Sequence, residues 1–421
     1  MRLLRERGEN QSDVRATNLA VVLDAIRRHG AISRTELTKL TRLTPSAVTN
    51  IIRELAEHHL VRESGVKPAA GSGRKQVKLT IDDRHFAVIG VDIARTHVQS
   101  LLVQLTGRIL ERASAPCRAS EGPERLLALA GSQIESLRQR ADTLGLTVLG
   151  IGIGIPGPVD TARGVVTSPP NFPGWRDFPL RRWVEERFQL PVFVDDDAKA
   201  AALGESWFGA GQGLESIVYV SVGMGIGAGV ILGGELYRGV HDLAGEIGHV
   251  TVDANGPRCE CGNVGCLEIM AAIPGLYRQA AVLWGNDQVY ERELEELFDV
   301  TRYPDLARVL RDYAVRYLSA GVINAINAYD PERIILGGRV LDAGAISSDN
   351  APTLLEEIRA EVQQRAFAVA AGRVDLVGRR LGTDATALGA ATLLMAEVFA
   401  CPARYWQHWA ATSPEASGEA T

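Results

Sequence analysis

The sequence predicts a small all-α domain with a β-hairpin wing, followed by a larger α/β domain built of two lobes. Residues 1–82 contain amphipathic helical segments and a Gly- and Pro-containing loop between two short strand-like runs. Residues 83–400 alternate buried-strand runs with helical segments, which is the pattern of an α/β fold. Residues 401–421 end in an Ala-, Ser- and Pro-containing stretch and are expected to form a disordered tail.

Composition and cysteine usage restrict the class of protein. The 421 residues are 46% hydrophobic and 23% charged, which provides enough apolar surface for two or three globular domains. No stretch approaches the roughly 20 uninterrupted apolar residues of a membrane helix, and the charged start lacks the apolar core of a signal peptide. Five cysteines, three of them between positions 259 and 266, fit a metal or redox cluster better than a disulfide framework. We therefore expect a cytoplasmic protein without a membrane segment.

Charge is distributed unevenly between the two predicted parts. Residues 1–80 hold 15 Lys/Arg and 8 Asp/Glu, whereas the remaining 341 residues hold 30 and 43. A basic module attached to an acidic body indicates binding to a polyanion. A solvated basic surface without a partner would give the same excess, so the local pattern has to decide between the two interpretations.

Three helices are predicted before residue 60. Apolar residues at helical spacing predict the first, which ends at Gly30. Ser33 and Glu36 form a capping box at the start of the second. The third begins with Pro45, where a missing N–H costs little, and its inward face carries Val48, Ile51, Ile52 and Leu55. Two short helices joined by a tight turn match the helix-turn-helix plan.

The outward face of the third helix carries polar side chains that suit base edges and phosphates of DNA. These are Ser46, Thr49, Asn50 and Arg53, to which we add Arg34 at the start of the second helix. The loop GVKPAAGSGRK, between the strand-like runs LVRES and QVKLTI, is predicted to be a wing. Its Lys67, Arg74 and Lys75 would neutralise backbone phosphates. A small helical docking domain with a surface hairpin is the alternative.

After residue 83, five buried-strand runs end in Gly- or Asp-rich turns. They are HFAVIGVDIARTHVQSLLVQL, TVLGIGIGIPGPVD, LPVFVDDDA, SIVYVSVGMGIGAGVIL and ERIILGG. In α/β folds the ligand sites lie at the carboxyl ends of such strands. We therefore expect the functional residues of this part in these turns.

Four residues predict a metal site. His249, Cys259, Cys261 and Cys266 supply one imidazole and three thiolates over 18 positions, which is enough for a closed tetrahedral Cys₃His zinc site. Such a site has no open position for catalysis, so one structural Zn²⁺ per chain is expected. The alternative is a set of unrelated buried cysteines.

Five strings in this order resemble the ROK family of repressors and sugar kinases: GIGIPGPVD, LPVFVDDDAKAAALGE, VSVGMGIGAG, AGEIGHV and CECGNVGCLE. With the preceding winged helix and GSGRK segment, the resemblance runs from about residue 18 to about residue 397. It implies an actin-like ATPase fold for the two-lobed domain and the same four metal ligands. It also implies that the second ring nitrogen of His249 faces a sugar.

The resemblance further implies a sugar site built of carboxylates, which accept hydrogen bonds from hydroxyl groups. Family members contact the sugar through the EIGH string, the Glu of GCLE, an Asn-Asp pair after a strand and the IPGPVD turn. In this sequence these are Glu246, His249, Glu268, Asp196, Asp197 and Gly157. The expected Asn is Asp196 here, which places a second carboxyl beside Asp197. One of the two would then be protonated, or the ligand would be unusual.

A nucleotide site is less well supported. Backbone N–H groups approach a phosphate only where side chains are small, and ROK kinases carry an Asp-x-Gly-Gly-Thr string there. Here Ala94 and Arg95 replace the two glycines, although Arg95 could itself bind an anion. Met224 stands in the second phosphate turn, where kinases usually offer Thr. Asp197 matches the kinase base, but a base without a bound γ-phosphate transfers nothing, so we predict no kinase activity.

The sequence is best interpreted as a sugar-responsive transcription regulator, a repressor, of carbohydrate genes. Its expected partners are operator DNA, a monosaccharide of the glucose, xylose or N-acetylhexosamine class, and further copies of itself in a homodimer or homotetramer. The main rival is an ATP-dependent hexose kinase with an accessory DNA-binding domain. A third possibility is a regulator titrated by a transporter component in place of a free sugar.

Overall fold

Three helices and a three-stranded sheet form the N-terminal domain. The computed structural model describes residues 11–67, 76–285, 287–345, 352–367 and 372–406. The N-terminal elements are α1 (Gln11–His29), β1 (Ile32–Ser33), α2 (Arg34–Thr41), α3 (Pro45–Glu57), β2 (Val61–Lys67) and β3 (Gln76–Ile81). β3 lies between β1 and β2 and is antiparallel to both. The hairpin of β2 and β3 therefore flanks the two-helix motif as the sequence predicts.

The starts of α2 and α3 follow from local chemistry. The Ser33 hydroxyl accepts a hydrogen bond from the Glu36 backbone N–H, and the Glu36 carboxylate accepts one from the Ser33 N–H, which confirms the capping box. Hydrogen bonds from Lys78 and Ser33 lower the pKa of Glu36 to about 2. Thr44 caps α3 through the Ala47 N–H, and Pro45 occupies its first turn.

Two five-stranded sheets form the two lobes of the rest of the chain. The first lobe contains β4 (Phe86–Ile93), β5 (His97–Gln104), β6 (Ile109–Pro116), β7 (Thr147–Ile155) and β10 (Val192–Asp196), with a short pair β8 (Val159–Asp160) and β9 (Val165–Val166) beside them. The second lobe contains β11 (Ile217–Val222), β12 (Ile226–Leu232), β13 (Glu235–Leu236), β14 (Arg333–Gly337) and β15 (Asp375–Gly378). The α/β prediction is confirmed.

Both sheets have the same topology. In each, three consecutive strands form an antiparallel meander. A fourth strand then pairs in parallel with the first strand of the meander, and a fifth pairs in parallel with the fourth. The resulting orders are β10–β7–β4–β5–β6 and β13–β12–β11–β14–β15. The carboxyl ends of the parallel strands in both lobes face one cleft, as expected for a ligand site in an α/β fold.

The helices of the two lobes are α4 (Gly122–Thr143), α5 (Leu180–Phe188), α6 (Asp197–Phe208), α7 (Leu267–Ala271), α8 (Ile273–Trp284), α9 (Leu294–Leu297), α10 (Pro304–Tyr329), α11 (Arg339–Gly344), α12 (Leu354–Arg365) and α13 (Ala385–Ala400). Helices α6 and α13 cross in close contact at Gly389, because a Cβ on this residue would lie 1.8 Å from the Ala200 carbonyl oxygen. The segment Gly382–Ala400 is long and apolar enough to span a membrane, and 67% of it is buried inside the fold, as in a core helix.

The N-terminal domain and the lobes share one hydrophobic core. Buried residues of α1 and α3 belong to the same cluster as Trp207 at the end of α6 and Phe399 at the end of α13. The Arg27 guanidinium lies 3.7 Å from the centre of the Trp207 ring. Trp406 stacks on His58 at 4.0 Å between ring centres, and Tyr405 is buried. Apolar packing therefore orders residues 401–406, which the sequence assigned to a disordered tail. Residues 407–421 lie outside the described part.

Candidate functional site

A cleft of about 720 Å³ lies between the two lobes, at the carboxyl ends of their strands. All six residues predicted for the sugar site line it: Gly157, Asp196, Asp197, Glu246, His249 and Glu268. They come from the turn after β7, from β10, from the start of α6, from the segment before α7 and from α7 itself, which are far apart in sequence. The strand order of the two sheets brings them together.

Asp196 caps α6 and holds the Gly157 turn. One carboxylate oxygen accepts hydrogen bonds from the backbone N–H groups of Ala198 and Lys199, at 3.0 and 3.2 Å. The other accepts one from the Gly157 N–H at 3.0 Å. Burial and the neighbouring Asp197 carboxylate raise the pKa of Asp196 above its ordinary value. Through these hydrogen bonds, Asp196 holds the Gly157 turn next to the start of α6, whether or not its carboxylate touches a ligand.

Asp197 and Glu246 both line the cleft, so their carboxyl groups could accept hydrogen bonds from a ligand. Burial raises the pKa of Asp197, and the Arg95 guanidinium is the largest charge acting against this rise. Burial and the Asp196 carboxylate raise the pKa of Glu246. Glu268 uses one oxygen to accept the Ile226 N–H at 2.9 Å, which leaves its second oxygen for another donor.

Four side chains form a cluster with the dimensions of a metal centre. The Cys261 and Cys266 sulfur atoms lie 3.7 Å apart, and His249 Nδ1 lies 3.9 Å from the Cys259 sulfur. All four ligand atoms lie within 4.8 Å of one another. Ligands at 2.0–2.3 Å from one tetrahedral ion would be separated by about 3.3–3.8 Å, so the donor set and the spacing fit zinc.

The loop that carries the cysteines depends on one glycine in particular. Gly265 has φ +60°, and a Cβ there would lie 1.6 Å from the Asp253 carbonyl oxygen. This turn places Cys266 directly before α7, which begins with Leu267 and Glu268. Because His249 Nδ1 points to the cysteines, the imidazole presents its other nitrogen to the cleft that it lines.

The two turns that would approach a nucleotide phosphate differ in this chain from a glycine-lined cradle. Asp92, at the end of β4, lies 3.3 Å from His97 and raises the pKa of that imidazole. Arg95 lines the cleft and donates from Nη2 to the Pro170 carbonyl at 2.9 Å. Met224, in the opposite turn, is 43% exposed. Side chains therefore occupy both sides of this part of the cleft.

Candidate DNA-contacting residues lie on the surface of the N-terminal domain. Ser46, Thr49, Asn50 and Arg53 are exposed on α3. Arg53 donates to the Asn50 amide oxygen at 3.2 Å, and 70% of its side chain is exposed. Arg34 pairs with Glu63 at 3.1 Å and would have to exchange this partner for a phosphate. Arg74, Lys75 and the side chain of Lys67 lie outside the described residues.

A network that ties the lobes together was not predicted. Arg238 of the second lobe donates twice to buried Asp195 of β10, at 2.7 and 3.0 Å. Buried Lys199 of α6 donates to the Asp242 backbone carbonyl, and the Asp242 carboxylate accepts the Thr161 hydroxyl at 3.1 Å. The only sequence signal was the run of three aspartates after a strand, of which the first forms this ion pair.

Comparison with known proteins identifies the family of this chain. The model of the ROK family matches residues 88–397. The chain belongs to the ROK family. Among ROK relatives, the putative xylose repressor of Caldicellulosiruptor sp. is 33% identical and the alignment covers 93% of this chain and 99% of that protein. A solved ROK transcriptional regulator, a homologue of the E. coli MLC protein, is 29% identical over 94% of this chain and 99% of its own, with a TM-score of 0.78.

A ROK enzyme matches a shorter part. The glucokinase of Streptomyces griseus, solved in complex with glucose and AMPPNP, is 32% identical with a TM-score of 0.61. The match covers 98% of the glucokinase but only 73% of this chain. Both kinds of ROK protein confirm the fold predicted for the two lobes, and the repressor and regulator matches extend over nearly the whole chain.

Proposed function

We propose that the chain is a transcription repressor of carbohydrate genes whose binding to operator DNA is controlled by a monosaccharide in the interlobe cleft. The observation that carries this proposal is the extent of the matches: a repressor matches over 93% of the chain, whereas a glucokinase matches over 73%. The family model matches residues 88–397 and therefore leaves out the exposed polar face of α3. The acidic cleft supports a sugar, of the glucose, xylose or N-acetylhexosamine class, as the effector.

The proposal assigns separate roles to the two halves of the cleft. The carboxyl groups of Asp197, Glu246 and Glu268 accept sugar hydroxyls, and one structural Zn²⁺ in the Cys₃His cluster fixes His249 and the start of α7. Ala94 and Arg95 replace the glycines that a phosphate needs, so we infer no significant kinase activity. With thiolates in a metal site, the protein belongs in a reducing compartment, the cytoplasm.

Helix α6 provides a route from the sugar to the DNA. It begins with Asp197 in the cleft and ends with Trp207 and Phe208, about 18 Å away at 1.5 Å per residue. At that end Trp207 receives Arg27 of α1 on its ring face. A sugar that favours a closed arrangement of the lobes would thus change the positions of α1 and α3 relative to the DNA. In a homodimer or homotetramer, this alters the spacing of two recognition helices that must span about 34–36 Å.

A sugar screen tests this function. The purified protein is mixed with glucose, xylose, N-acetylglucosamine and other monosaccharides, and thermal unfolding is followed together with binding to an operator selected from random DNA. A cognate sugar at 100 times its dissociation constant should stabilise the native state by roughly 2.7 kcal/mol and change the DNA affinity. Strong DNA binding that no sugar or sugar derivative changes would contradict the proposal and favour a protein effector.

Removal of basic side chains from the N-terminal domain should weaken operator binding and leave sugar binding intact. We expect this for Arg53→Ala, because Arg53 is exposed on α3, and for the wing pair Arg74→Ala with Lys75→Ala. If the wing pair contacts phosphates, its loss should reduce the salt slope of binding by about 1 to 2 units. Fluorescence anisotropy at several salt concentrations measures both quantities. Arg108→Ala, an exposed arginine of the first lobe, is the control. Unchanged affinity and slope in both variants would remove the DNA assignment.

A further inference from the structure

A short strap of the second lobe, residues 238–242, reaches across to the first lobe. It follows β13 directly. At its start, the Arg238 guanidinium donates twice to the carboxylate of Asp195 in β10, at 2.7 and 3.0 Å. At its end, the Asp242 carboxylate accepts hydrogen bonds from both the backbone N–H and the hydroxyl of Thr161, each at 3.1 Å. The strap therefore fastens one lobe to the other at both of its ends.

The strap holds two buried charges of the first lobe and of α6. Asp195 is 1% exposed and Lys199 is 2% exposed. Asp195 accepts the Arg238 guanidinium, and the Lys199 ammonium donates to the backbone carbonyl of Asp242. A buried charge that loses its partner is costly, so separation of the lobes at this point carries a penalty at both ends of the strap. These contacts therefore favour one defined arrangement of the lobes.

The backbone of Asp242 indicates that its side chain matters. Asp242 has φ +58°, in the left-handed region that residues other than glycine adopt at a cost. A glycine would adopt this backbone without that cost, but it would lack the carboxylate that reaches Thr161. On the receiving side, Arg181 of α5 donates to the carbonyl oxygens of Thr161 and Ala162, at 2.6 and 2.9 Å. The Asp242 carboxylate thus contacts a turn that is itself held in place.

The strap and the predicted sugar residues share the junction between β10 and α6. Asp195 binds the strap, whereas the next two residues, Asp196 and Asp197, line the cleft. On the other lobe, Glu246 follows the strap by four residues and also lines the cleft. A ligand held between Asp197 and Glu246 would therefore join the same two segments that the strap joins outside the cleft.

We propose that residues 238–242 are a strap that holds the lobes in this arrangement and slows the release of the sugar, with Asp242 as its positioning residue. The proposal rests on the sugar-regulator function above and adds the element that opposes opening of the lobes. The sugar leaves only when the lobes separate, and separation breaks the contacts of Asp242 and Arg238 together. Loss of the Asp242 carboxylate is therefore expected to speed dissociation of the sugar and to raise its dissociation constant about tenfold, as for loss of a hydrogen-bonded charged group.

Variants at two positions separate the strap from a general effect on the backbone. Asp242→Gly removes the carboxylate and suits the left-handed backbone, so it should fold and show the full effect. Asp242→Asn can still accept the Thr161 N–H and donate to its hydroxyl, so it should stay within about threefold of the parent. Thr161→Val should lose about threefold, and its combination with Asp242→Gly should be no weaker than Asp242→Gly alone, because both remove one interaction. Asp330→Gly, at an exposed aspartate with φ +43° at the end of α10, is the matched control.

Two measurements on the full chain test the strap. Isothermal titration calorimetry and stopped-flow kinetics with glucose, xylose and N-acetylglucosamine give the dissociation constant and the dissociation rate of each variant. Hydrogen–deuterium exchange without sugar reports on opening of the lobes themselves. In Asp242→Gly, exchange should become faster at Gly157 and at residues 196–199, whose N–H groups do not bond to Asp242. Circular dichroism verifies that each variant is folded.

Several results would overturn the proposal. They are release of sugar from Asp242→Gly at the rate of the parent, an equal loss of affinity in Asp242→Asn or in the Asp330→Gly control, and faster exchange confined to Thr161. In each case a DNA response of the parent to sugar would leave the regulator function standing. If none of the three sugars binds the parent, the regulator function loses its support, and exchange alone decides the strap: faster exchange at residues 196–199 in Asp242→Gly supports it, and unchanged exchange refutes it.

Discussion

Cys261→Ser is expected to lose the bound metal and the sugar response together. The parent should contain one zinc per chain by metal analysis, because three thiolates and one imidazole lie within 4.8 Å of one another. Removal of one thiolate leaves three ligands and opens the loop between Val250 and Cys266. The loop carries no large share of the hydrophobic core, so the variant should remain folded while its sugar-induced thermal shift disappears.

The coupling between metal and sugar has a geometric cause. His249 belongs to the proposed metal cluster and also lines the cleft, and Cys266 immediately precedes the helix that carries Glu268. Apparent zinc binding free energies in small zinc domains reach about 10–16 kcal/mol, so the ion can hold a loop that has few apolar contacts. Without the ion, His249 and Glu268, two residues predicted to contact the sugar, should lose their fixed positions.

Two controls separate this effect from general damage. Cys401→Ser, at an exposed thiol outside the cluster, should keep both the zinc and the sugar response. A strong chelator added to the parent should reproduce the Cys261→Ser phenotype without any mutation. A folded, sugar-responsive parent protein that contains no zinc would refute the metal assignment and its proposed role.

Local signals were sufficient for the N-terminal domain. The capping box at Ser33 and Glu36 and the proline at the start of α3 are interactions within a few residues, so they are visible in the sequence and recur in the structure. The same holds for the metal cluster, whose four ligands lie within 18 positions. Buried-strand runs likewise predicted the α/β class, because a strand buried on both faces is continuously apolar.

Long-range interactions could not be predicted in this way. The Arg27–Trp207 contact joins residues 180 positions apart, and the Asp195–Arg238 pair joins residues 43 apart, without any local periodicity. The matching topology of the two sheets was also missed, because the two halves share strand order and not a readable repeat. The predicted disordered tail was wrong for residues 401–406 for the same reason. Trp406 stacks on His58 of the N-terminal domain, and this contact between residues distant in sequence has no local signal.

Asp197→Ala and Glu246→Ala are expected to abolish the effect of sugar on operator binding. Both carboxyl groups line the cleft, and neither residue lies near the exposed face of α3. DNA affinity without sugar should therefore stay within a few-fold of the parent, while the change in DNA affinity that sugar causes in the parent should vanish. Gel-shift titrations with and without sugar measure both. Glu235→Ala, an exposed acidic residue outside the cleft, is the matched control.

The same variants decide between regulator and kinase, because Asp197 is the residue that matches the kinase base. The parent protein, given ATP and its cognate sugar, should form no sugar phosphate above background, since Ala94 and Arg95 replace the two glycines of the kinase string and Met224 stands where kinases usually offer a Thr hydroxyl. Turnover at the roughly 1–100 s⁻¹ typical of kinases, lost in Asp197→Ala, would favour the enzyme. A full sugar response in both variants would remove the cleft from the regulatory mechanism. Loss of the response without ATP turnover in the parent is the result that we expect, because all the residues predicted to contact the sugar line the cleft, whereas the side chains of Arg95 and Met224 line its predicted phosphate half.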